Sequence, residues 1–478
     1  MKNIIKFGTD GWRATPKTGL SPENIMICAQ SFSDYINSKY PHKKTILVGY
    51  DTRQDSLKFA LISAKILISN NIEVKVTLNP TATPVCSHYI KNSSIIGGVI
   101  ITASHNSKEW NGFKVRSENG TGFNNYEIEK IEERVRFYEK SNTSIKYNSQ
   151  TNIDYLDINN EYINSIKRII DIQKIINSDI NISADYMHGA SSGLLEKILE
   201  GKKINNIRKK YDPEFPGMIQ PEPIEKNLGI LIKDIKNNKR SIGIAFDGDG
   251  DRLGIIDEKG SIQTASEVFA ILSNHILYKN KGKSIATTIS MSSIIDDVCK
   301  EYKSKLIRTK VGFKYLAPLL ENNEVIFAGE ESGGYSLSNH VADKDGVLSA
   351  LLYLECMVLN KNSPKILLDK IYQKHNKRFF NRIDINFSLS NKISIEEKIK
   401  NMEVFFSNYS KIIKIDKSDG KKLFFDNGSW ILTRLSGTEP LIRIYNEAKS
   451  KDELEKINNL TFNFKQTASE KVETGYCY

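Results

Sequence analysis

Along most of the chain, short runs of β-branched and apolar residues alternate with stretches in which apolar side chains recur every three or four positions. The runs read as buried strands and the stretches as amphipathic helices, so their alternation predicts an α/β protein. Strands are expected at 46–49, 73–78 and 95–102, with helices over about 55–70 and 125–140. The stretch 141–152, rich in Ser, Asn, Thr and Gln, reads as a linker. A second unit opens near Ile153, with one helix expected over 154–177 and strands at 180–184 and 242–246. Pro213, Pro216, Pro221 and Pro223 make 211–226 an irregular loop. A third unit holds helices at 265–279 and 292–302 and strands at 285–289, 306–309 and 325–328. The last unit mixes short strands with two helices. A chain of 478 residues exceeds what one core organises, and the expected divisions are 1–150, 151–257, 258–374 and 375–478. In each of the first three units a buried strand delivers a polar loop at its C-terminal end, where open α/β sheets bind ligands.

Hydrophobic residues make up 39% and charged residues 26%, with no long biased tract, which excludes a disordered chain. The formal charge is +11, but the basic residues are spread, and the densest pairs (Lys202-Lys203, Lys209-Lys210, Lys421-Lys422) lack interleaved aromatics. That distribution argues against a nucleic-acid-binding face and suits an enzyme that draws in phosphate esters. Cys28, Cys86, Cys299, Cys356 and Cys477 form no CxxC pair, so neither a zinc site nor a disulfide framework is indicated. The N-terminus lacks the features of a signal peptide and no apolar run could span a bilayer. A cytoplasmic protein without membrane contact is expected.

Four loops carry the candidate chemistry. In Asp247-Gly248-Asp249-Gly250-Asp251-Arg252, carboxylates on alternate positions can curl around one hard cation, and the glycines allow the curl. A solvated acidic turn is the plain alternative. An EF-hand is excluded, because its sixth position would be Arg252 where glycine is needed, and 241–246 reads as strand. Thr102-Ala103-Ser104-His105-Asn106, followed by Lys114, offers a serine with two local candidates to assist it; alone it would pass for a capped polar turn. It does not match the G-x-S-x-G elbow of acyl hydrolases. Gly329-Glu330-Glu331-Ser332-Gly333-Gly334 can present acceptors to vicinal hydroxyls of a sugar, or be a simple turn. Arg434-Leu435-Ser436-Gly437-Thr438-Glu439, with Arg443, combines backbone N–H groups, hydroxyls and guanidinium forks, the makings of a phosphate cradle.

Taken together and in this order, the four loops resemble those of the α-D-phosphohexomutase superfamily, the phosphoglucomutases and phosphomannomutases. Phe7-Gly8-Thr9-Asp10-Gly11-Trp12-Arg13 and Gly49-Tyr50-Asp51-Thr52-Arg53 match further segments of that family, so the resemblance covers essentially the whole chain. It implies three similar α/β domains with mixed sheets flanked by helices, plus a smaller C-terminal α+β domain, around a central cleft. It implies a phosphoserine at Ser104 and one Mg²⁺ held by Asp247, Asp249 and Asp251 with an oxygen on Ser104. Arg13, His105, Asn106, Lys114 and Arg252 would surround the transferring group, and either His105 or Lys114 could take the sugar hydroxyl proton. Glu330, Ser332, Lys314, Arg434, Ser436, Gly437, Thr438 and Arg443 would bind the substrate. The implied reaction interconverts hexose 1-phosphate and hexose 6-phosphate through a hexose 1,6-bisphosphate, with glucose as the leading substrate. Phosphomannomutase or dual-specificity activity, a glucose 1,6-bisphosphate synthase and a non-catalytic sugar-phosphate binder are the alternatives. A monomer or weak homo-oligomer is expected. The chain departs from the family in two places: Ser107 follows Asn106 where proline is frequent, and Gly334 stands where many relatives have histidine. The Glu330-Glu331-Ser332 form leans towards phosphoglucomutases.

Overall fold

Four sheets, in chain order, carry the architecture of this computed structural model, which describes residues 5–8, 10–42, 44–141, 143–387, 392–435 and 441–468. The first sheet has the spatial order Trp12–Ala14, Asn111–Ser117, Gly97–Ile101, Thr45–Tyr50, Glu73–Thr77, Asp154–Leu156, parallel from Gly97–Ile101 onward and antiparallel before it. The second runs Ile262–Gln263, Leu253–Ile256, Ile242–Phe246, Ile182–Asp185, Ile204–Ile207, with the last three parallel. The third runs Leu306–Thr309, Ile285–Thr288, Phe327–Gly329, Tyr335–Leu337, with the first three parallel. The fourth is antiparallel throughout: Phe379–Asn386, Leu441–Ala448, Trp430–Leu435, Lys421–Phe425, Ile412–Asp416. Three mixed α/β units and a C-terminal α+β unit are thus present, as the sequence implied.

The first three sheets share one device. A wholly buried strand (Gly97–Ile101, Ile242–Phe246 or Phe327–Gly329) ends in a polar loop, and the chain returns antiparallel beside it. The repeat is one of topology, invisible in the letters, and it pins each loop at both ends by ladder hydrogen bonds. Helices flank the sheets and begin where the sequence caps them. Ser21 accepts from Asn24 N ahead of Pro22–Lys39, and reciprocal capping boxes start Asn125–Lys140 (Asn124, Glu127) and Ala265–Lys279 (Thr264, Glu267).

The single helix expected over 154–177 is instead a strand, Asp154–Leu156, and two helices, Asn159–Ile169 and Ile172–Ile176. Asp154 and its two successors pair with the edge of the first sheet, and Asp171 breaks the helix by capping the second piece through Lys174 N. The apolar side chains of 154–169 fit both periods, and the open sheet edge decided between them. The Asp154–Leu156 and Ile262–Gln263 strands pair in the first and second sheets although they lie beyond residues 150 and 257.

One apolar core runs through the first three units, joining Ile100, Phe246 and Ile285 with the mostly apolar helix Gly346–Asn360. The fourth unit has its own core and docks on the third through Trp430, Leu432 and Tyr445 against Ile289. Glu447 braces that contact, accepting from Trp430 Nε1 at 2.7 Å and from Ser293 N at 3.1 Å. Among the described residues, no helix is long and apolar enough to cross a membrane.

The buried segment 340–345 ties the first three units together. Asp343 accepts from Ser87 Oγ and Arg116 Nε of the first unit, and Asp345 from Tyr162 Oη at 2.8 Å. His340 bonds Asp345 Oδ2 at 2.9 Å and stacks on His88 with ring centroids 5.2 Å apart. Burial, helped by His340, lowers the His88 pKa from 6.5 to about 4. Between those values the unfolded chain binds the proton that the folded chain refuses. Stability therefore falls as pH drops below 6.5, and the loss levels off near 4. His88→Gln should flatten the stability–pH curve in that window, as read from urea midpoints between pH 4 and 7.

Candidate active site

The Ser104 loop follows the Gly97–Ile101 strand, and the aspartate loop follows Ile242–Phe246. They meet where Gly248 passes Ser104: a Cβ on Gly248 would stand 2.6 Å from the Ser104 carbonyl oxygen, so only glycine lets the loops touch. Ser104 is fully buried at φ 51°, its N–H held by Thr102 Oγ1 at 2.8 Å. Its Oγ donates to Asp247 Oδ2 at 2.9 Å and lies 3.5 Å from His105 Nδ1.

Asp247, Asp249 and Asp251 are all fully buried, each offering a carboxylate oxygen within 4.8 Å of the others. Burial, with Asp251 and Asp249 beside it, pushes the Asp247 carboxyl well above the usual carboxylate range. For Asp249 burial acts in the same direction but is outweighed: Lys114 Nζ at 2.8 Å, Lys344 and the Thr83 hydroxyl hold it below its ordinary value. Asp249 Oδ1 and Asp251 Oδ1 are buried and accept no hydrogen bond. Three clustered carboxylates with open oxygens are an all-oxygen donor set suited to a hard divalent cation.

Around the triad runs a chain of alternating charges drawn from all three α/β units. Lys114 Nζ lies 2.8 Å from both Asp249 and Asp10; Asp10 meets Arg116 at 2.9 Å; Arg116 meets Asp343 at 3.0 Å; and Lys344, next to Asp343, reaches Asp251 at 2.8 Å. Burial disfavours the Lys114 ammonium, but Asp10, Asp249 and Asp251 together raise its pKa. Lys344 crosses the open face of Gly334, where a Cβ would fall 2.5 Å from the lysine stem. On the other side of the serine, Arg252 Nη2 bonds His105 Nδ1 at 2.7 Å while its Nη1 holds Glu222 Oε1. Burial, Arg252 and Arg13 keep the His105 imidazole well below its ordinary pKa, and therefore neutral. Arg13 Nη1 donates to Asn106 Oδ1 at 2.9 Å.

The sugar-loop candidates border this cluster. Glu330 Oε1 accepts from Gly312 N at 2.8 Å, and burial raises its pKa against the pull of Lys344. Ser332 is half-buried in the same turn, and Glu331 pairs with Arg382 of the fourth unit at 3.4 Å. Arg434 and Arg443 are register partners on adjacent strands, next to Asp419 and Asp384 respectively. Ser436, Gly437 and Thr438 lie outside the described residues. Lys314 is not brought to the sugar loop: it donates to Asn125 Oδ1 at 3.0 Å, beside the N-terminus of the Asn125–Lys140 helix. Sequence reasoning gave no role to Arg53, Asp10, Arg116, Asp343 or Lys344. Asp10 and Arg53 lay within quoted stretches, whereas Lys344 had no local motif to mark it.

Arg116 holds two carboxylates, so Arg116→Met should cost about 3–5 kcal/mol by leaving Asp343 without its ion-pair partner and Asp10 to Lys114. Arg116→Lys should recover only part of this, because a point charge cannot serve both forks. Urea midpoints of the two variants against the parent chain check both expectations.

Sequence-family models described as phosphoglucomutase/phosphomannomutase match four segments in order: α/β/α domain I at 5–142, domain II at 160–260, domain III at 264–375 and the C-terminal domain at 385–462. A phosphoglucomutase/phosphomannomutase of Thermococcus kodakarensis is 33% identical over 456 residues, covering 93% of this chain and 95% of its own. A phosphoglucosamine mutase of Methanocaldococcus jannaschii is 32% identical over 464 residues, covering 94% and 96%. Among solved structures, the open form of the Paramecium phosphoglucomutase pp63/parafusin superposes with a TM-score of 0.82 at 23% identity, covering 97% of this chain and 95% of its own. With four family domains in register and the serine and aspartate loops in contact, the chain belongs to the phosphoglucomutase/phosphomannomutase family of phosphohexomutases.

Proposed function

We propose that this protein interconverts hexose 1-phosphate and hexose 6-phosphate by way of a phosphoserine at Ser104, with glucose as the preferred hexose. The observation that carries the reading is the 2.9 Å contact between Ser104 Oγ and Asp247 within a buried triad of carboxylates. A serine placed there gains nothing from those anions unless a cation lies between them and the group it carries. Asp247, Asp249 and Asp251, with an oxygen at Ser104, would hold Mg²⁺. The ion supplies charge neutralisation at the phosphoryl oxygens when bound.

In the forward direction the P–Oγ bond of phosphoserine breaks and a P–O bond forms to the 6-hydroxyl of glucose 1-phosphate. The hydroxyl proton leaves to a base, and glucose 1,6-bisphosphate results. The bisphosphate then turns within the cleft and returns its 1-phosphoryl group to Ser104. Transfer of this kind depends on alignment and charge stabilisation more than on covalent assistance. Arg13, Arg252 and Lys114 supply positive charge around the reacting group. Lys114, held between two carboxylates, is built to remain a cation, and His105, neutral beside Ser104 with its Nδ1 engaged by Arg252, borders the carrier. Glu330 and Ser332 address sugar hydroxyls, and Arg434, Arg443 and the Ser436-Gly437-Thr438 turn hold the phosphate that is not reacting.

The named relatives include both neutral-sugar and amino-sugar mutases, and the Glu330-Glu331-Ser332 sequence is what favours glucose. The same reading makes the protein a cytoplasmic monomer or weak homo-oligomer.

Ser104→Ala should lower turnover of glucose 1-phosphate at least about 1000-fold in a coupled assay primed with bisphosphate; near-normal turnover would end the phosphoserine mechanism. Mg²⁺ in excess should raise the melting temperature of the parent chain but not of Asp249→Asn, by mass action on the folded state. Asp249→Asn should stay folded and lose on the order of 100-fold in activity. Comparing kcat/KM for glucose, mannose and glucosamine 1-phosphates tests the sugar: a preference for glucosamine 1-phosphate would overturn the assignment to glucose.

A further inference from the structure

The Ser104 loop spans from Ile101 to Asn111, and little of its shape comes from within. Its internal backbone hydrogen bonds are Asn106 N to Ala103 O and Trp110 N to Ser107 O. Ser104 occupies the left-handed region, which a residue with a Cβ keeps only where its surroundings hold it. Ser107 adds no restraint of the kind a proline ring would supply.

The restraint comes from Arg53, in the loop after the Thr45–Tyr50 strand. Its guanidinium is buried, with every nitrogen engaged. Nη2 donates to the carbonyls of Ser104 and Asn106, and Nη1 to those of Ser107 at 2.8 Å and Trp110 at 3.1 Å. Nε is held by Asp51 Oδ2 at 3.1 Å, and Asp51 is fixed in turn by Ser56 Oγ at 2.6 Å and by Arg53 N. One side chain therefore grips four carbonyls of one loop, including that of the serine itself. Phe215 closes the arrangement, its buried ring 5.2 Å from the guanidinium carbon. Phe215 belongs to the irregular loop of the second unit, the same loop whose Glu222 holds Arg252 and whose Pro221 oxygen accepts from Gly248 N.

We propose that Arg53 is the positioning residue of the phosphoryl-carrying serine. It fixes the backbone of 104–110 so that Ser104 Oγ stays aimed at the aspartate triad, and Phe215 locks it from the second unit. This rests on the mutase reading above. Lysine cannot replace it, since a single ammonium cannot reach carbonyls on both sides of a planar fork.

The test uses the full chain with Arg53→Lys, Arg53→Met and Phe215→Leu. Two quantities are read for each: kcat and KM with glucose 1-phosphate, and amide hydrogen exchange of 103–111 without substrate. Both Arg53 variants should lose about 10- to 100-fold in kcat with KM changed less than about 3-fold, the signature of a misaligned carrier rather than weakened binding. Exchange over 103–111 should quicken at least about 10-fold while that over the 242–246 strand stays as in the parent. Phe215→Leu should move both readouts the same way by a smaller factor, and it decides the matter if the Arg53 variants do not fold. Unchanged loop exchange overturns the proposal, as does faster exchange with unchanged kcat. A parent chain inactive on every hexose phosphate would instead sink the mutase reading, and the exchange data would still judge the clamp.

Discussion

Three carboxylates are buried side by side, and everything else in the site is arranged to make that tolerable. Carboxylates this close and this dry repel one another strongly, and such a group would ordinarily take up protons. The protein keeps Asp249 ionised by placing Lys114 against it, and meets Asp251 with Lys344. Each of those cations would itself be costly to bury alone. Asp10 therefore backs Lys114, Arg116 backs Asp10, and Asp343 backs Arg116. The members come from the first unit (Asp10, Lys114, Arg116), the second (Asp249, Asp251) and the third (Asp343, Lys344). The relative placement of three sheets is thus tied to the electrostatics of one loop.

That dependence explains which parts of the site could be read from the letters. The loops were legible because each follows a short apolar strand, and because Asp-Gly-Asp-Gly-Asp is an unusual local pattern. The backing charges were not. Arg116 acts through Asp343, more than two hundred residues away, and Lys344 through Asp251 of another unit, and nothing beside them in sequence marks the pairing. Lys314, expected among the substrate-binding residues, lies on the turn of helix Phe313–Tyr315 and donates to Asn125. The fold shows the same division. Most parallel strands were found within a residue or two, since burial makes them continuous apolar runs, but the partly exposed edge strands Asp154–Leu156 and Ile204–Ile207 were not. Helix Gly346–Asn360 went unread because it is buried all round and has no polar face to set a period. The return strands Asn111–Ser117 and Leu253–Ile256 were hidden by the chemistry of the loops before them.

The fourth unit meets the cleft in a different manner. Among the described residues it shares no member of the buried charge chain, and it touches the third unit through an aromatic patch, the buried Glu447 and Lys422, and Asp419. On another side its Arg382 reaches Glu331, next to Glu330. Its position is therefore set by a small contact at the back and a polar one at the front, against the continuous core that fuses the other three. Such a unit can shift without disturbing the triad.

Gly334 and Lys344 carry a consequence for how this sequence can change. The lysine stem lies in the volume that any larger side chain at 334 would need, and its ammonium neutralises one of the three aspartates. Neither position can drift by itself. A side chain gained at 334 while Lys344 persists displaces the cation from Asp251, and loss of Lys344 while 334 remains glycine leaves that aspartate short of charge. The two sites form an epistatic pair, open to exchange only when the incoming residue at 334 brings a positive charge of its own.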